Sequence, residues 1–239
     1  MKLEHKNILV LGGKSEINDA VINSLLKEGA QVHFFCSVKS DFVTTSNLTV
    51  VEHDFYNFDS NKDIGNQLHG LNWHGVVFAG GKGGVRPIKL NDAEFVQDMF
   101  HANVYAFFEW IRLLTKRRSL VEGASVVALS SVSSTKGLKA KTVYSASKAA
   151  LDAAVRGMAV ELADKKIRVN SIQKGWVRSD MNLDFIQSNL SIDEGNDLKK
   201  QLLGPIEPQE LAHLVTFLLS DLVPSMTGTN IVLDGGYTL

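Results

Sequence analysis

The chain has 239 residues, of which 44% are apolar, a length and composition that suit one large α/β domain over 1–239 and argue against a second independent one. Its formal net charge of −1 removes the electrostatic case for nucleic acid or an anionic membrane as partner, since both need a basic excess gathered on one face. One cysteine, Cys36, excludes an intramolecular disulfide and suits a reducing cytosol, and seven scattered histidines lack metal-ligand spacing, so no metal is expected.

The opening "MKLEHKNILVLGGK" has an apolar run too short for a signal peptide, and "NILVLGG" reads instead as a first strand. Ile17, Ala20, Val21 and Leu25 then recur at helical spacing until Glu28-Gly29 ends the helix. "QVHFFCS", "LTVVEHD", "GVVFAGG", "ASVVALSS", "IRVNSIQ" and "NIVLDGG" follow as six more strands, near-continuous in apolar residues as parallel strands covered on both faces must be. Amphipathic stretches at Asp92 to Lys116, Val143 to Ala163 and Pro208 to Leu219 supply helical crossovers. The expected fold is a doubly wound Rossmann-type α/β domain, a seven-stranded parallel sheet with helices on both faces. No apolar run is long enough to span a bilayer, so a soluble, cytoplasmic protein is expected. Ligands of such sheets bind beyond the carboxyl ends of the strands, where Gly12, Gly80, Ser130-Ser131 and Gly175 fall.

The chemical signal is strongest in "LSSVSSTKGLKAKTVYSASK", where Tyr144 and Lys148 stand one helical turn apart on a shared face. A tyrosine alone is a poor acid or base at neutral pH. A neighbouring ammonium favours the phenolate and is expected to lower the tyrosine pKa, and Ser131 at a strand end adds a hydroxyl for a substrate oxygen.

"YSASK" with Ser131 thirteen residues before Tyr144, "HANVYAFF" with Asn103, "RVNSIQKGWVRSDM" and "MTGTNIVLDGG" occur in register. Together they make the chain resemble the short-chain dehydrogenase/reductase family over essentially its whole length, and within it the 3-oxoacyl-carrier-protein reductases. The resemblance implies hydride transfer between a nicotinamide and a carbonyl or alcohol carbon of a small-molecule substrate. It makes Tyr144 the general acid, has Ser131 orient the carbonyl, sets Lys148 on the nicotinamide ribose, and has Asn103 support a water in a proton relay. Cofactor contacts are implied for Gly12, Lys14, Ile17, Ser37, Ala79, Gly80, Tyr144, Lys148, Val177 and Ser179, with Asp54-Phe55 near the adenine. Residues 180–204 become a substrate lid, with Met181, Leu183, Phe185, Ile186 and Leu190 either covering an apolar substrate or only packing the lid down.

Departures from the family pattern gather on the cofactor side. In the loop T-G-x-x-x-G-I-G, Leu11 takes the threonine place, Glu16 the second glycine place and Asn18 the third. A Glu16 carboxylate within about 4 Å of a phosphate would cost about 4 kcal/mol per charge pair at an effective dielectric near 20, unless it swings outward and Lys14 compensates. Glu16 and Asp19 also have the simpler use of neutralising a positive helix end. Val77 and Phe78 replace two family asparagines, and Lys174 stands where a proline usually precedes Gly175. The second strand ends in Cys36-Ser37 with no carboxylate for a ribose diol, and Lys14 and Lys39 are placed to neutralise a 2′-phosphate, which tilts the cofactor to NADP(H) over NAD(H). Lys136, Lys139 and Lys141, with Lys82, Arg86, Lys174 and Arg178, make either a cationic mouth or a set of dispersed solvated charges. Ala149, Ala150, Ala153, Ala154 and Gly157 give one helix a small-residue surface, and by resemblance its exposed part joins a homodimer or homotetramer. The alternative to an enzyme is a catalytically silent binding or scaffold protein of the same fold, its dinucleotide binding impaired by Glu16 and Asn18.

Overall fold

The computed structural model describes residues 2–59, 70–179 and 200–239. Its strands are β1 (Asn7–Gly12), β2 (Gln31–Cys36), β3 (Leu48–Glu52), β4 (Trp73–Phe78), β5 (Leu120–Ser131), β6 (Arg168–Lys174) and β7 (Asn230–Leu233). They form one seven-stranded sheet in the order β3-β2-β1-β4-β5-β6-β7, every pairing parallel. Each strand expected from sequence is present. β5 starts earlier than its apolar run suggested, because its first residues, among them Leu120 beside Trp73, extend the ladder to β4.

Side-chain alternation along β1 divides the core in two. Leu9 and Leu11 pack on one face with Phe78, Trp110 and Val155, whereas Ile8 and Val10 pack on the other with Val21, Leu25 and Val215. Helices α1 (Glu16–Lys27) and α5 (Pro208–Leu219) therefore cover the second face, and α3 (Ala106–Lys116) and α4 (Thr142–Glu161) the first. Helix α1 begins where the Ser15 hydroxyl accepts the Asn18 amide, and the chain leaves it through Gly29 at φ +87°.

The single helix expected over Asp92 to Lys116 is instead α2 (Ala93–Phe100), a π-helical turn over His101–Tyr105, and α3. The wide turn holds Asn103, which is fully buried. Strand order reverses between β1 and β4, and the carboxyl ends of those two strands flank the resulting crevice. Of the expected lid, 180–199 lies outside the described residues. Within 200–204, Gln201 grips Trp176 by accepting its amide at 2.8 Å and donating to its carbonyl at 3.0 Å.

Candidate functional site

Two adjoining cavities open at the carboxyl ends of the strands. The first, about 430 Å³, runs from the start of α1, past Ser37 and the Ala79–Gly81 backbone, to Tyr144, Lys148 and Ser179. The second, about 280 Å³, lies beyond Ser131 and Tyr144 and is walled by Val85, Leu138, Trp176 and Tyr237. Tyr144 and Lys174 line both.

Local sequence shapes the loop end of the first cavity. The buried Asn18 side chain lies so close to Gly12 that a Cβ there would collide with its carboxamide nitrogen, which donates to the Gly13 carbonyl at 2.7 Å. The Asn18 Oδ1 is buried with no hydrogen-bond partner among the described residues. Glu16 lines the cavity, and together with Asp41 its charge adds to the burial that raises the Asp19 carboxyl pKa. The Lys14 ammonium is ion-paired with Asp41, which holds its pKa above the ordinary lysine value.

The floor lacks the family's asparagine side chains and is braced by aromatics. The Tyr56 hydroxyl accepts the Gly81 amide at 2.8 Å, and a Cβ on Gly80 would strike the Phe55 ring. Phe55 is completely buried, its ring centroid 4.3 Å from that of Tyr56. Asp54 takes the Tyr56 amide in a tight turn and lines a separate depression with Asn57, Lys82 and His101. Neither member of Asp54-Phe55 lines the groove; Tyr56 does, a residue the sequence reading passed over. Val177 is likewise buried, bridging to Ile206 beneath the rim.

The four expected catalytic residues converge. β5 ends at Ser131 and α4 starts at Thr142, and Ser131 and Tyr144 line the same cavity, where the Ser131 hydroxyl donates to the Ser133 hydroxyl at 3.1 Å. Lys148, one turn further along α4, donates to the Leu129 carbonyl at 3.0 Å. The Asn103 amide accepts the Lys82 N–H at 2.8 Å and donates to the Lys82 carbonyl and the Ser147 hydroxyl, each at 2.9 Å. Ser147 in turn donates to the Tyr144 carbonyl at 2.7 Å. Asn103 thus fixes the loop after β4 to the helix that carries Tyr144 and Lys148.

The electrostatics differ from the sequence expectation. Burial pushes the Tyr144 phenol pKa up, and the group that draws it back is the Ser131 hydroxyl rather than the Lys148 charge. Lys148, only 5% exposed, is itself lowered to about 7, by burial first and then by the Lys174 charge, with Asp152 opposing. Lys174 is lowered to about 8 by burial and by Lys141.

The cationic mouth is also redrawn. Lys82 pairs with Asp98, Arg86 with Asp92 and Arg178 with Glu207, while Lys136 donates to the Tyr237 carbonyl at 2.7 Å. Lys141 and Lys174 remain inside the second cavity. Among the described residues, no group of three His, Cys, Asp or Glu could hold a metal, and no helix is long and apolar enough to cross a membrane.

Comparison with known proteins finds relatives in sequence and in fold. A family model described as enoyl-(acyl carrier protein) reductase matches residues 64–238. The human 3-oxoacyl-[acyl-carrier-protein] reductase is 30% identical, over 96% of this chain and 97% of its own. A short chain dehydrogenase family protein from Francisella tularensis superposes with a TM-score of 0.88 at 30% identity, covering 98% of both chains. A 4-hydroxyisoleucine dehydrogenase complexed with NADH gives a TM-score of 0.82 at 27% identity, covering 98% of this chain and 99% of that one. The chain belongs to the short-chain dehydrogenase/reductase family of oxidoreductases.

Proposed function

We propose that this protein interconverts a small carbonyl compound and its alcohol by hydride transfer, with Tyr144, Ser131, Lys148 and Asn103 as its working residues. The observation that carries the reading is Tyr144 set where the two cavities meet, with Ser131 on the wall of one and Lys148 on the wall of the other. A bound nicotinamide supplies or accepts the hydride. In the reducing direction the carbonyl carbon gains the hydride and its two electrons, and Tyr144 gives its proton to the oxygen. Ser131 donates a hydrogen bond that orients that oxygen. Lys148, titrating near neutrality, returns a proton toward Tyr144, and Asn103 positions the helix and loop on either side.

The residues fit a dinucleotide at the floor and the nicotinamide end: Ala79, Gly80 and Gly81 present backbone rather than side chains to the groove, and Lys148 closes it. At the loop end Lys14 and Ile17 would hold the diphosphate beside Glu16, Ser37 would meet the adenosine ribose and Ser179 the nicotinamide side, with Gly12 behind the Asn18 side chain and Val177 supporting the rim from beneath. Asp54 and Phe55 act on the adenine through Tyr56. NADP(H) is favoured because no carboxylate ends β2, with Lys14 and the exposed Lys39 facing a 2′-phosphate. The preference is modest, since Asp41 competes for Lys14. The solved neighbour that carries NADH shows that the fold takes the unphosphorylated cofactor as well.

One domain over 1–239, with 180–204 as its lid, serves this chemistry in the cytoplasm. Exposed Tyr105 and Phe108, which share a depression with Met158 and Leu162, and the exposed Ala153, Gly157 and Val160 of α4 supply a surface suited to a homodimer or homotetramer. A non-catalytic binding role draws on one observation, the Asn18 side chain filling the space beside Gly12. Fluorescence titration with NADPH and NADH, followed by a carbonyl panel, separates the readings. Micromolar binding and turnover, with turnover cut at least about a hundredfold in Tyr144→Phe at unchanged thermal stability, support the enzyme. Absence of binding at millimolar cofactor supports the scaffold.

A further inference from the structure

Lys174 closes β6 in register with Ser131 at the end of β5. Residues paired across adjacent strands project to the same side of a sheet, so the ammonium stem rises next to the hydroxyl expected to orient the reacting oxygen. The described wall of the second cavity holds two lysines, Lys141 and Lys174, and no aspartate or glutamate, while on its other side Lys174 borders the first cavity, which Lys148 and Glu16 also line. The other cations of this rim are already engaged: Lys82, Arg86 and Arg178 by carboxylates, Lys136 and Lys148 by backbone carbonyls. Lys174 alone of these makes no ion pair or side-chain hydrogen bond among the described residues.

A half-buried ammonium facing a second lysine is held at an electrostatic cost, seen in the depressed pKa of about 8. An anionic group entering the cavity removes that cost and gains a charge-assisted hydrogen bond. Lys141 Nζ lies 4.8 Å from the centroid of the Trp176 ring, and Gln201 pins the Trp176 backbone from behind, so the second cation is also fixed at the wall. Val85 and Leu138 leave the rest of the cavity apolar. A volume near 280 Å³ suits a short chain rather than a large ring system.

We propose that Lys174, assisted by Lys141, forms a carboxylate-binding subsite beside Ser131 and Tyr144, so that the substrate is a small oxo acid or the matching hydroxy acid. This rests on the hydride-transfer reading above and adds its substrate class. The carboxylate is a handle only: its bonds are unchanged in the reaction, and Lys174 is a specificity residue rather than a proton donor.

The test uses pyruvate, acetoacetate and levulinate, each against its methyl ester, with the full chain, Lys174→Met and Lys174→Arg. Binding is followed by quenching of Trp176 fluorescence and turnover by nicotinamide absorbance on the same preparations. At least one acid is expected to bind and turn over about tenfold or more better than its ester. That ratio collapses toward one in Lys174→Met and survives in Lys174→Arg. Acid-selective binding that depends on Lys174 but comes without turnover upholds the subsite and overturns hydride transfer. Turnover with equal preference for acid and ester in both the native chain and Lys174→Met overturns the subsite and leaves hydride transfer standing. Weaker NAD(P)H binding in Lys174→Met with an unchanged acid-to-ester ratio also overturns it, by assigning the lysine to the cofactor.

Discussion

Glu16→Gln isolates the charge of the altered loop from its bulk. The carboxylate lies at the first position of α1 and lines the cavity where a cofactor diphosphate would rest. A unit charge about 4 Å from a phosphate charge is repelled by about 1 kcal/mol in water-like surroundings and about 4 kcal/mol at an effective dielectric of 20. The groove opens to solvent and Glu16 is only half-buried, which places the effect near the lower bound, about 1–2 kcal/mol. Glu16→Gln should therefore tighten NADPH and NADH about fivefold to thirtyfold. It should also cost a little stability, about 0.3–1 kcal/mol, because a negative charge is lost from a positive helix end. Affinity and stability thus move in opposite directions. Fluorescence titration and thermal unfolding at low and high salt would show both, with the affinity gain shrinking as salt screens the pair. If Glu16→Gln binds like the native chain while Glu16→Gly binds tighter, side-chain volume governs the loop and the Coulomb reasoning is refuted.

Three further outcomes follow from named contacts. Asn103→Ala removes the partners of the Lys82 N–H and carbonyl and should destabilise the fold by about 2–4 kcal/mol, read as a thermal midpoint lower by roughly 6–12 °C; an unchanged midpoint would mean that water replaces the amide. Asp41→Asn frees Lys14 and should shift the ratio of NADH to NADPH dissociation constants about twofold to fivefold toward NADPH, with no shift if Lys14 points away from the 2′-phosphate. Lys148 has a folded pKa of about 7 against 10.5 in the unfolded chain, so between those values the unfolded state holds the extra proton and stability rises with pH. The penalty is complete below pH 7 and fades as pH climbs. Denaturant unfolding should show about 2 kcal/mol of gain from Lys148 between pH 7 and 9, lost in Lys148→Met while the smaller gain from Lys174 stays, and a flat profile in the native chain would show that Lys148 keeps its proton.

The fold was legible because parallel strands covered on both faces leave near-continuous apolar runs, and all seven runs became strands in one sheet. The candidate cluster was legible because Tyr144 and Lys148 share a helix face and Ser131 ends a strand. The π turn at His101–Tyr105 was not, since hydrophobic spacing across Asp92 to Lys116 stays helical and one extra residue in a turn barely alters it. Tyr56 was hidden for another reason: its partner, the Gly81 amide, is 25 residues away and leaves no local signature. Charges were the least legible feature. Lys14 and Asp41 are far enough apart in sequence that only the fold shows them paired, and the engagement of Lys82, Arg86 and Arg178 is what leaves Lys174 distinct.

The Asn103 amide has a consequence for the time course of folding. It joins Lys82, 21 residues before it, to Ser147, 44 residues after it, and those contacts cannot form until β4, the π turn and α4 have all docked. Contacts that distant are closed late, because each demands a long loop to be ordered first. In refolding from denaturant, backbone structure and the β1–β2–β3 edge can return while the reactive geometry is still missing. Catalytic competence should then lag behind recovery of the far-ultraviolet signal, making activity a marker for the last assembly step.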